Sequence, residues 1–295
     1  MRAFAEQSSD WGSCGRDSFD ISTLKPSDVA VKRAGLNGGR KLLSRAIEAE
    51  IIPRLVGTHT QFLESNSVED LSPVYIDSEH VVEFIALLIS NDVTVASAYV
   101  EELCTKGARL ESIFLHLFTP AARMLGRLWD EDICDFTDVT VALSRLQQLL
   151  RELGAAFEIE GMPTQTGRRA LLAAAPGDQH TFGVFILQEF FRRAGWEVHG
   201  GSLVSKEELF GLAESDRYDL VGLSASNEVA VDEFAAVIHT IRKITPSPRL
   251  HVIVGGRFFL EHPEAVSGVG ADASAQDGRR AVLKVSSLLG TIALR

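Results

Sequence analysis

The chain has 295 residues, 45% of them apolar and 23% charged, with a formal net charge of −11; this is a globular composition, long enough for two domains of ordinary size. No apolar run approaches the roughly 20 residues that a membrane-crossing helix needs, and the N-terminus MRAFAEQSSDWGSCGRD lacks the basic-then-apolar order of a secretory signal, so a cytoplasmic protein without membrane attachment is expected. Cys14, Cys104 and Cys134 are odd in number and scattered, a pattern that argues against a disulfide framework and a cysteine zinc site.

Charge is distributed unevenly. Residues 1–54 hold nine Lys/Arg against seven Asp/Glu, residues 64–165 six against eighteen, and residues 166–295 fourteen against fifteen. The acidic middle would repel a phosphate backbone, because nucleic-acid affinity is built largely from Lys and Arg neutralising phosphates. Direct nucleic-acid binding is therefore not expected.

Residues 1–38 mix Ser, Gly and Asp without a sustained apolar period and are expected to be a disordered leader. Over 39–65, Leu42, Leu43, Ile47, Ile51, Ile52 and Leu55 recur at helical spacing. The resulting amphipathic helix needs a cover, either its own bundle or a partner protein. Residues 66–160 predict a four-helix bundle from HVVEFIALLIS, VTVASAYVEELCTKG, LESIFLHLFTPAARMLGRLWDED and FTDVTVALSRLQQLLRELGAAFE. Its breaks fall near Asn91, Gly107 and 132–135, with Thr137 or Asp138 as the cap of the fourth helix. EIEGMPTQTGR then reads as a linker.

From 168 to 295 strand and helix periods alternate. RALLAAAP, WEVHGGS, DLVGLSAS, RLHVIVGG and the short ADAS predict buried parallel strands, and FGVFILQEFFRRAG, KEELFGLAES, VDEFAAVIHTIRKI and GRRAVLKVSSLL predict the helices between and after them. The fold class is thus α plus α/β: an N-terminal helical bundle followed by a Rossmann-like, flavodoxin-like five-stranded parallel sheet. Ligands of such sheets bind outside the carboxyl ends of the strands, which directs attention to the loops after strands one, three and four.

The first of these loops carries Asp178-x-His180-x-x-Gly183. Alone, an Asp and a His two residues apart form an ordinary hydrogen-bonded loop as readily as a ligand site. Ser224 follows at the end of strand three, about forty residues later, and Gly255-Gly256 closes strand four after about thirty more. This three-part order resembles the cobalamin-binding domains of methionine synthase, methylmalonyl-CoA mutase and their relatives, over about 130 residues. The resemblance implies cobalamin, in its adenosyl or hydroxo form, with His180 as lower axial ligand of cobalt and Asp178 bonded to the other ring nitrogen. It further implies that Gly183 lets the nucleotide tail pass, that Ser224 binds the displaced dimethylbenzimidazole base, and that Gly255 and Gly256 leave room for it. The family's Ser-x-Leu is Ser224-Ala225-Ser226 here, so Ser226 would make the tail pocket more polar.

In methionine synthase and in light-sensing regulators a four-helix cap precedes this domain, and Trp129 in MLGRLWDEDICDF resembles the tryptophan that covers the upper ligand; the alternative is a core Trp at a helix end. The Glu-His pair of the CarH-type photoreceptors is replaced by Val139 and Thr140. Across nearly the whole chain past residue 38 the sequence resembles the AerR/PpaA group of purple photosynthetic bacteria. That implies a non-enzymatic light- or redox-responsive antirepressor of photosynthesis genes, whose partner is a repressor of the CrtJ/PpsR type. A corrinoid carrier of a methyltransferase system and a heme-binding sensor, with His180 on iron, remain alternatives at this point. No nucleophile–base pair, P-loop or H-E-x-x-H motif is present. His116, in the third bundle helix, is either a core residue or a second group within reach of the metal.

Overall fold

A computed structural model describes residues 74–90, 92–161, 165–201, 205–228 and 230–290, all of which belong to one compact unit, Thr58–Arg295. The leader and the amphipathic helix expected over 39–65 lie outside the described residues. The first helical region comprises α1 (Ser78–Ser90), α2 (Val93–Thr105), α3 (Leu110–Ser112), a π-helical stretch Ile113–Phe118, α4 (Thr119–Asp130) and α5 (Phe136–Gly161).

Each boundary has a chemical cause. Asp92 caps α2 by accepting the Thr94 N–H at 3.2 Å. The cap of α5 is Asp135, whose carboxylate accepts the Asp138 N–H at 2.8 Å; this corrects the expectation of Thr137 or Asp138, both of which lie inside the first turn. The predicted third helix is divided because Pro120 has no N–H and its ring crowds the carbonyl four residues back. The Thr119 N–H therefore closes a wider turn on the Phe114 carbonyl, which the Thr119 hydroxyl also reaches at 2.8 Å. The fourth helix outruns its predicted end and takes up Ile159, Glu160 and Gly161 from the expected linker.

The second region comprises β1 (Arg169–Ala174), α6 (Phe182–Arg193), β2 (Glu197–Gly201), α7 (Lys206–Ser215), β3 (Leu220–Ser224), α8 (Val231–Ile244), β4 (His251–Gly255), α9 (Arg257–Glu261), α10 (Ala265–Gly268), β5 (Ala273–Ser274) and α11 (Gly278–Leu288). The sheet order is β2-β1-β3-β4-β5, parallel throughout. Alternation along the strands sends Leu171, Ala173, Val221, Leu223, Val252 and Val254 into a core with α7 and α8. The other face lies under α6 and α11.

The helical region packs on that second layer. Phe84, Phe118, Phe114 and Phe157 form a run of ring contacts that continues to Phe190 of α6, 5.0 Å from Phe157. Arg193 lies 4.4 Å over the Phe157 ring, and its guanidinium bonds Glu111 at 2.8 Å. Glu111 also pairs with Arg279 of α11 at 3.2 Å, so one carboxylate of the helical region holds both helices of the sheet's near layer. The Phe190 ring lies so close to Gly278 that a Cβ there would sit 2.6 Å from it.

Candidate functional site at the carboxyl edge of the sheet

Beyond β1 the ladder runs one residue further, with the Ala175 N–H on the Ser224 carbonyl at 2.7 Å. Gly177, at φ +86°, then turns the chain so that the Asp178 N–H returns to the Ala175 carbonyl at 2.9 Å. The Asp178 side chain is 5% exposed and fully used. Its Oδ1 accepts the His180 N–H at 2.9 Å and lies 2.9 Å from His180 Nδ1, while its Oδ2 accepts the backbone N–H of Ser226 at 2.5 Å. A carboxylate against Nδ1 holds the proton there and turns the Nε2 lone pair outward. The His180 side chain is 55% exposed, so a large ligand can reach that nitrogen.

Beside this loop the sheet face under α6 and α11 ends in small residues. Ala174, Ser224 and Gly255 are neighbours in register, and a Cβ on Gly183, at the start of α6, would meet nothing within 4 Å. The Ser224 hydroxyl has no hydrogen-bond partner among the described residues. A floor of minimal side chains, an open glycine and a free hydroxyl suit a flat group that slides in beside the sheet. Gly256 has a separate reason to be glycine. Its φ is +92°, and a Cβ would lie 2.2 Å from the Ala225 carbonyl oxygen. Ser226 enters the site through its backbone amide, a contact that no side-chain pattern announces.

Trp129 stands near the end of α4, 48% exposed, which sets aside its reading as a core residue. Its neighbour Arg127 feels the charge of Arg257, the residue that opens α9 just after Gly256, and Arg257 in turn feels the charge of Asp130. Arg123, whose guanidinium burial pushes down, feels the charge of Asp277. The α4 end of the helical region thus lies beside the loops that follow β4 and β5. Trp129 makes no ring contact with the His180 loop among the described residues. His116 lies on the π-helical stretch with its side chain exposed, which also sets aside a core role. Burial pushes the Cys134 thiol up to about 11 and raises Cys104 as well, so neither favours a thiolate at neutral pH.

Among the described residues no group of three or more His, Cys, Asp or Glu is placed to hold a metal ion. A metal on His180 would therefore bring most of its ligands with it, as a macrocyclic complex does. None of the helices described is long and apolar enough to cross a membrane.

Residues 168–286 match the family model described as B12 binding domain. The chain is 31% identical over 168 residues to an uncharacterised 20.5 kDa protein of the bchF-crtJ intergenic region of Rhodobacter capsulatus, covering 57% of this chain and 87% of that protein. It is 35% identical over 133 residues to the HTH-type transcriptional repressor CarA of Myxococcus xanthus, covering 44% of each. The Methanosarcina barkeri monomethylamine corrinoid protein shares the fold, with a TM-score of 0.57 at 14% identity over 70% of this chain and 98% of that one.

Proposed function

Because the chain belongs to the B12-binding domain family, in its AerR/PpaA-type branch, we propose that it is a cobalamin-dependent transcriptional regulator, an antirepressor that answers light or redox state through a repressor of the CrtJ/PpsR type. The observation that carries this reading is the Asp178–His180 pair: a buried carboxylate fixes Nδ1 and leaves Nε2 facing outward beside the floor of Ala174, Ser224 and Gly255. A heme would use the histidine but leave that floor without a purpose, whereas a cobamide brings a nucleotide tail that fits it. His180 would hold the metal, Asp178 would orient the imidazole, and Ser224 would bind the base. When bound, the cofactor supplies a metal–carbon bond weak enough for visible light to break.

The two relatives support the regulatory part of the reading, one by its location between bchF and crtJ and one by its designation as a transcriptional repressor. Exposure of Trp129 on α4, beside the loops after β4 and β5, gives the helical region a side chain able to sense the cofactor's upper face. A change there would shift the protein between states only through its differential affinity for them.

The test is an absorption spectrum of the purified protein with adenosylcobalamin and with hydroxocobalamin, in the dark and after illumination, alongside His180→Ala. Retention of cobalamin, with a light-dependent spectral change that the substitution abolishes, is expected. A protein that takes up no cobalamin and gives a Soret band with heme would overturn the reading.

A further inference from the structure

A hollow of about 460 Å³ lies at the outer edge of the sheet, lined by Ser274, Ala275 and Gln276 at the end of β5 and by Arg280, Leu283 and Lys284 of α11. β5 is an edge strand, so no further strand of the sheet stands beside the hollow. α11 buries Gly278, Ala281, Val282 and Val285. At about 100° per residue, Arg280, Leu283 and Lys284 fall on its other side, the one the sheet does not cover.

The lining carries two cations and no carboxylate. Lys284 Nζ donates to the Ser274 carbonyl at 3.1 Å, with no carboxylate in ion-pair reach among the described residues. Arg280 Nη1 donates to the Gln276 side-chain oxygen, and its Nε lies 3.6 Å from Asp277 Oδ2. The other oxygen of Asp277 is taken up in capping α11, where it accepts the Arg280 backbone N–H at 2.7 Å. Arg280 Nη2 has no hydrogen-bond partner among the described residues. A spacing of four puts the two cations one helical turn apart on one face, where they repel each other unless an anion lies between them. Leu283, 40% exposed, adds an apolar wall.

This chemistry selects among occupants. A guanidinium fork beside an ammonium suits a phosphate, which accepts hydrogen bonds from both. Inorganic phosphate alone would leave the leucine and most of the volume unused, whereas pockets for small organic ligands run from roughly 300 to 1,000 Å³. An added strand is disfavoured because Lys284 already takes the edge carbonyl of Ser274. A second copy meeting its own face would set the cations against themselves. We propose that the hollow binds a small organic phosphate of the nucleoside monophosphate class, its phosphate between Arg280 and Lys284 and its organic body against Leu283. The proposal stands apart from the cofactor reading.

Isothermal titration of the full chain with adenosine monophosphate, inorganic phosphate and adenosine tests it, with the unaltered protein, Arg280→Met and Lys284→Met, and for the nucleotide again in excess cobalamin. The nucleotide is expected to bind about ten-fold or more tightly than either of the other probes. Each substitution is expected to weaken it about ten-fold, and cobalamin to leave it within about two-fold. Inorganic phosphate bound as tightly as the nucleotide overturns the organic body, and adenosine bound as tightly overturns the phosphate contact. Nucleotide binding that neither substitution alters, or that cobalamin displaces, overturns the placement. No binding of nucleotide or phosphate by the unaltered protein overturns the site as a whole, and the comparison of the three probes stands even if a variant does not fold.

Discussion

Asp178 Oδ2 accepts the backbone N–H of Ser226 at 2.5 Å across 48 positions of sequence. The carboxylate that orients His180 is thereby tied to the end of β3, two residues past Ser224, and the histidine loop and the proposed tail loop share one buried anion. Asp178→Asn would keep the shape but replace one acceptor oxygen with an amide that opposes either the Ser226 N–H or the His180 loop. Cobalamin affinity, read by spectral titration, is expected to fall about 10- to 100-fold, the usual cost of losing an outer partner of a metal-bound histidine. Ser226→Ala is expected to bind normally, because the bond uses the main chain.

Glu111 joins the helical region to Arg193 and Arg279. Its replacement by Ala would leave the Arg193 guanidinium, 13% exposed, without its ion-pair partner. Urea unfolding followed by circular dichroism is expected to show a loss of about 1–3 kcal/mol. Arg279→Met is expected to cost less, since Arg279 is 38% exposed and water replaces its pair.

Glu189 of α6 faces α5, where Gly154 leaves space for its carboxylate: a Cβ there would lie 2.7 Å from Oε2. Burial raises the Glu189 carboxyl above its ordinary range, against the pull of Arg192, and the charge of Glu158 adds to the rise. A carboxyl raised in the folded state contributes stability that is present at low pH and is lost as pH climbs through the folded value. The protein is therefore expected to gain from this group as pH falls from neutral into the carboxylate range. Glu189→Gln is expected to flatten that dependence and raise the melting temperature at neutral pH by about 1–2 °C, as thermal melts across pH would measure.

Legibility in the sequence followed the range of the interactions involved. The strands and their order of appearance were plain in runs such as RALLAAAP and RLHVIVGG, because a buried parallel strand is apolar on both faces. Asp178 and His180 were legible because their relation is local, two residues in one loop. The cap of α5 is not legible in the sequence, because Asp135, Thr137 and Asp138 are all competent acceptors and only the backbone decides which lies outside the helix. Glu111 carries no sequence signal, since its partner Arg193 lies 82 positions away. The Ser226 amide carries none either, because every residue but proline offers one.

The π-helical turn at Ile113–Phe118 bears on how this chain is matched to its relatives. A turn closed over five residues holds one more than a turn closed over four, so α4 is carried about 100° round its axis relative to an uninterrupted helix. Glu111 lies before that turn and Trp129 after it. A relative that lacks the extra residue would present the aligned tryptophan on a different side of the bundle while keeping the acidic anchor in place. Identity in that column of an alignment is therefore equivalence of letters, and equivalence of position requires the π turn as well.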